Sequence, residues 1–314
     1  MSFEVHDGKH VEDELTKIAR HELRQTDEAL ATSAGRKFSG AVHDSRKRLK
    51  KVRALAALLE QAGAKLPHKD RKRLKAAARA LSRIRDSAAV VDTLDRLRRR
   101  YPKRLPAHTY GVLRRSLVSA RNRVEARARH NGVVGKARKR LAKTRQSAKA
   151  WTSPSMDVSD MVAVVVDSYR QSRQAMKRAR ARGLSATLHR WRKALKRLWY
   201  QLRLAQPLAT GIAPLIADVK RLQTELGDDR NLVVLEATLR SCRDLRSKDA
   251  HIREIDRLAA RMRQQLRRRA LALGRRVYVR KPKAFARWIR TSSKSRQHTR
   301  ALCASRYGFS KRTR

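Results

Sequence analysis

Apolar residues recur at three-and-four spacing along almost the whole chain, and no convincing stretch of strand alternation interrupts them. That periodicity leaves room for one class of fold, in which long amphipathic helices bury aliphatic stripes against one another. Pro, Gly and Ser clusters cut the pattern into eight segments, near 9–32, 39–62, 68–100, 106–149, 157–182, 185–206, 212–244 and 248–274. Aromatic residues make up only 4% of the chain against 41% hydrophobic overall, so the cores must be built mainly from Leu, Val and Ala. At 314 residues the chain can bury one large core or two ordinary ones.

The best internal boundary is "WTSPSMD" at 151–157, with a proline, two serines and a candidate helix cap at Ser155 or Asp157. It divides the helices into two groups of four, giving expected units at 1–150 and 151–274. Beyond them, 275–314 carries fourteen Lys and Arg, no Asp or Glu, and five of the fourteen aromatics: Tyr278, Phe285, Trp288, Tyr307 and Phe309. An accessory helix near 283–291 followed by a basic tail is expected there. The N-terminus lacks the basic start and apolar run of a secretory signal, and the longest apolar stretch is "MVAVVV" at 161–166. Cys242 and Cys303 sit in no zinc or CxxC pattern and read as reduced thiols. A soluble cytoplasmic protein is the expectation.

Eighty Lys and Arg face 27 Asp and Glu, for a formal charge of +53. Intrahelical pairing can neutralise only a minority, and between Arg96 and Met156 there are nineteen basic residues against one acid, Glu125. Self-repulsion on this scale opposes folding. A polyanion would relieve it, whether nucleic acid, an anionic membrane or a polyphosphate.

The two halves share a motif. "HDSRKRLKKV" at 43–52 aligns without a gap with "HRWRKALKRL" at 189–198, an offset of 146 residues. "LSRIRDSAAV" at 81–90 aligns with "LGDDRNLVVL" at 226–235, pairing Arg85 with Arg230 at an offset of 145. Two motifs in one order at nearly one offset argue for an internal duplication. At ~100° per residue, His43, Arg46, Lys47 and Lys50 share about a third of one helix's circumference, as do His189, Arg192, Lys193 and Lys196 on the other. Leu49, Val52, Ala56 and Leu59 lie opposite in the first copy, and Leu188, Trp191, Leu195, Leu198 and Leu202 in the second. Each helix is a core stripe backed by a cationic ridge. A solvated face accounts for one such ridge, but not readily for the same order of His, Arg, Lys and Lys twice. Arg clamps phosphate through parallel N–H bonds, Lys supplies a point charge, and a histidine among cations is pushed toward its neutral form until an anion arrives.

The paired H-x-x-R-x-x-x-[KR]-[KR]-[LV] helices, "RIRD" after the first and "LGDDRN" after the second resemble the CHAD domain, the conserved histidine α-helical domain, over roughly residues 10–274. The resemblance implies an all-α fold of two pseudo-twofold-related four-helix bundles around a basic central cavity, with 275–314 as a basic C-terminal extension. It further implies binding of inorganic polyphosphate and association with polyphosphate granules. The implied ligand set is His43, Arg46, Lys50, Lys51 and Arg53 from the first copy and His189, Arg192, Lys196 and Arg197 from the second. Lys47 and Lys193 join by helical position, and the repeat-paired Arg85 and Arg230 complete the set. The chain departs from the family pattern at Trp199, which replaces a base, at Ala88 and Asn231, which replace acids, and at Ser82, which replaces a glycine. Those acids are expected to orient bases rather than react.

Catalysis is not expected. Neither ridge carries converging carboxylates for a metal, Asp228 and Asp229 read as a cap or turn, and no Gly-rich phosphate loop or Ser/Cys nucleophile motif occurs. No cofactor is expected either. The alternative to polyphosphate is nucleic acid, held by the basic surface and the aromatic tail; an acidic-protein scaffold comes third. A membrane-surface role lacks a spare apolar helix face.

Overall fold

The computed structural model describes residues 3–6, 10–33, 38–151, 154–241 and 249–293. Cys242, Cys303 and the tail from 294 onward lie outside the described residues. The chain is all-α, and no strand forms among those residues. Its helices are α1 (Val11–Ala31), α2 (Phe38–Gln61), α3 (His68–Arg100), α4 (Ala107–His130), α5 (Val133–Ser147), α6 (Val158–Arg182), α7 (Ser185–Ala205), α8 (Ala213–Ser241) and α9 (Asp249–Val277), followed by α10 over 282–293.

Local chemistry sets the ends. Asp157 opens α6 with a capping box: its carboxylate accepts from the backbone N–H groups of Ser159 and Asp160, while Asp160 accepts from the backbone N–H of Asp157. Gly183 closes the same helix at φ +60°. The segment expected as one helix over 106–149 is two. After His130 the chain turns through Asn131, and Gly132 takes φ +58°, a left-handed conformation that is cheap only without a side chain. Five helices rather than four therefore precede Trp151.

The stripes read from the sequence are buried: Leu49, Val52, Ala56 and Leu59 on α2, and Leu188, Trp191, Leu195, Leu198 and Leu202 on α7. They belong to an apolar cluster that also takes in α1, α5, α6, the first half of α3 and the first half of α8. A second cluster joins the later half of α3 (Val90, Leu94, Leu97) to Leu113 of α4, Leu235 of α8 and Ile255 of α9. Both clusters draw on helices from either side of 151–157. At Trp151 the indole N–H donates to the buried carboxylate of Asp70, and the Met156 amide donates to Glu12.

α10 docks through Phe285 and Ile289, both buried. Phe285 stacks on Tyr169 of α6 with ring centroids 3.8 Å apart, and the Tyr169 hydroxyl donates to the Arg280 carbonyl. Across the middle of the molecule α2 meets α7 and α3 meets α8. These two contacts bring the repeated motifs face to face.

Candidate functional site

A cavity of about 450 Å³ lies where α2, α3, α7 and α8 converge. Its walls come from equivalent positions of the two copies: Arg46 with Arg192, Lys50 with Lys196, and Arg85 with Arg230. Other repeat-paired positions line it too, Ser82 with Gly227 and Asp86 with Asn231. His189 and Lys220 add to the second copy's share, so seven Lys and Arg face two carboxylates, Asp86 and Asp228.

Both carboxylates face arginine. Asp228 accepts from Arg96 Nη1 at 2.6 Å, a bridge from α3 to α8. Asp86, the acid of "RIRD", lies 3.8 Å from Arg46 and 3.7 Å from Arg85. An acid near two guanidinium groups offsets part of their mutual repulsion, and Asp86 favours the charged form of Arg46 where Arg85 opposes it. Asp228 and Asp229 are not a cap or turn, because α8 runs through them without a break. Asp229 is buried and ties α8 to α9 through Arg263 and Arg267.

The arginines are short of partners. Nε and Nη1 of Arg46, Nε of Arg192 and Nδ1 of His189 are buried without a hydrogen-bond partner among the described residues. Leaving a buried charged donor unsatisfied costs more than leaving a neutral one, at least ~1–3 kcal/mol for each group. Both guanidinium groups are held below their ordinary pKa by burial, with Asp86 opposing that effect at Arg46 and Arg230 adding to it at Arg192.

Lys50 of α2 and Lys196 of α7 line the same cavity, and the charge of Lys50 acts directly on Lys196. Burial first, then the neighbouring cations, lowers Lys196 to about 6 and Lys50 to about 8. Both shifts favour the neutral amine, and an anion placed beside the pair would favour the charged forms again. His43 and His189 are lowered as well, by desolvation and then by Lys47 and Lys193.

The expected residues do not all converge. Arg46, Lys50, Arg85, His189, Arg192, Lys196 and Arg230 line the cavity. His43 is exposed beside it, close enough to feel Lys50 and Arg85. Lys47, Arg53 and Lys193 are exposed outside it, and Lys47 pairs with Asp44 at 3.3 Å. Lys51 is one step and ~100° past Lys50, which turns it away to Glu22 of α1 at 2.5 Å. Arg197 is turned the same way and donates to Gln171 of α6.

The sequence reading missed the α8 wall of Lys220, Gln223, Thr224 and Gly227. Its signal is a polar stripe at three-and-four spacing running into the apolar one. Trp199, standing where a base was expected, carries Lys220 over its ring at 5.1 Å and so supports a cation of the cavity instead of supplying one.

The family model described as CHAD domain matches residues 15–240. Among solved structures the chain is similar to the crystal structure of the CHAD domain from the plant Ricinus communis, with 16% identity, a TM-score of 0.61, and coverage of 84% of this chain and 91% of that one. At that identity the likeness speaks for the fold. None of the curated proteins compared with the chain matches it.

Proposed function

The chain belongs to the CHAD domain family, and on that premise we propose that it binds inorganic polyphosphate in the cavity between α2, α3, α7 and α8, without catalysis, and so attaches to polyphosphate granules. One observation carries this reading: equivalent arginines of the two copies, Arg46 and Arg192, present buried N–H groups that have no hydrogen-bond partner among the described residues. A polyphosphate chain is a run of tetrahedral oxyanions without bases. It can accept from both guanidinium groups and return protons to Lys50 and Lys196 in one hollow. The cavity's two carboxylates are occupied with arginines, which favours binding over chemistry. Among the described residues no helix is long and apolar enough to cross a membrane.

The test is a titration of the protein with long-chain polyphosphate at moderate salt, with double-stranded DNA and RNA as competitors. The reading expects polyphosphate to bind tighter than either nucleic acid and expects the paired substitution Arg46→Gln with Arg192→Gln to remove most of that binding. Equal or tighter binding to nucleic acid, or binding untouched by the paired substitution, defeats it.

A further inference from the structure

Other hollows border the cavity along α3. It shares Asp86, Val90 and Val234 with a second hollow of about 840 Å³ between α3, α4 and the end of α8, where Arg83, Arg121 and Arg127 stand over an apolar floor. That hollow in turn shares Ala80 and Arg83 with a third, open groove of about 400 Å³ between α3 and α5, edged by Lys72, Lys75, Arg79 and Arg140. On α3 the positions facing the cavity and those facing the second hollow are separated by about a quarter turn at ~100° per residue. The third groove then runs back along that same side, and Lys72 to Arg85 spans about 20 Å of helix.

The basic residues of this path have little to hold them. Lys72, Lys75, Arg79 and Arg83 fall at spacings of three, four and four, so cation follows cation at each turn. Like charges at these spacings destabilise a helix by ~0.2–0.5 kcal/mol per pair. Lys72, Lys75, Arg79, Arg83 and Arg140 are exposed, and none has a carboxylate partner among the described residues. The buried Asp70 at the start of α3 is taken by Arg73 and Trp151.

We infer that this path is an exit track for a polyphosphate chain too long for the cavity, so that the cavity holds one stretch of the polymer while the α3–α5 groove holds the next. The inference rests on the proposed function and adds to it: the cavity alone serves short chains, and the track gives long chains their advantage.

The experiment measures binding of tripolyphosphate and of long-chain polyphosphate at several salt concentrations, for the wild-type chain and for a variant carrying Lys75→Gln, Arg79→Gln and Arg140→Gln. These side chains are exposed, and a thermal melt checks that the variant folds. A second set, Lys72→Gln with Arg83→Gln, serves if the first does not. For the triple variant the track requires unchanged tripolyphosphate affinity, weaker long-chain binding, and a salt dependence of log K shallower by about two at ~0.7 per lost contact. If the wild-type chain binds both ligands and the triple variant keeps its long-chain affinity and slope, the track alone is overturned. A wild-type protein that binds neither ligand removes the proposed function and the track together.

Discussion

Replacing Lys196 with methionine should stabilise the empty protein and weaken its hold on polyanions, and pH should separate the two effects. Lys196 meets Lys50 among Arg46 and Arg192, and its pKa falls to about 6 while that of Lys50 falls to about 8. A lysine whose folded value lies below its unfolded value burdens the fold most at low pH. The penalty is complete below about 6 for Lys196 and is relieved as pH rises from there toward the unfolded value of 10.5. For each group the relief proceeds at no more than ~1.4 kcal/mol per pH unit. Exchanging a buried charge for an apolar side chain of similar volume stabilises proteins by about 1–4 kcal/mol in favourable cases. In a chain of this size that corresponds to roughly 2–8 °C in Tm. Thermal melts of wild type and Lys196→Met at pH 6 and pH 9 are the assay. The gain should be larger at pH 6, where about half of Lys196 is charged and the penalty is near its full size, than at pH 9, where the folded side chain is neutral and only a small part of the penalty remains. A gain equal at both values would mean that packing, not charge, explains it. A loss at pH 6 would refute the lysine pair as a site of stored repulsion.

Two further outcomes check the scaffold. Asp229→Ala strips Arg263 and Arg267 of their shared acid, and because Arg267 is 29% exposed and Arg263 keeps Glu236 the loss should be about 1–3 kcal/mol, lower than for a fully enclosed pair; urea unfolding measures it. Phe285→Ala removes the ring stacked on Tyr169 and should cost about 3–5 kcal/mol of docking, read as faster proteolysis near α10 while polyphosphate affinity stays within about twofold.

The helical body was legible because burial writes itself into spacing: Leu49, Val52 and Leu59, and Trp191, Leu195 and Leu198, fall where the periodicity puts them. The repeat carried the cavity further than any single helix could, since an offset of 146 pairs Arg46 with Arg192 and Lys50 with Lys196 before any packing is known. Three things were not legible. Asn131 and Gly132 break a basic helix without a proline, and the left-handed φ that Gly132 needs is invisible in a residue that helices also tolerate. Adjacent bases such as Lys50 and Lys51 look alike in sequence, yet ~100° of rotation sends one to the cavity and the other to Glu22. Asp229 resembled half of a turn because the bases that hold it are far away in the sequence; Arg263 and Arg267 are more than thirty residues on, in α9.

A crystal structure of the protein grown with tripolyphosphate tests the central claim most directly. The account predicts phosphate density inside the cavity, with its oxygens accepting from the now unpaired N–H groups of Arg46 and Arg192 and lying within reach of Lys50 and Lys196. Density confined to outer surfaces, with those guanidinium groups unchanged and the cavity filled only by water, would contradict it.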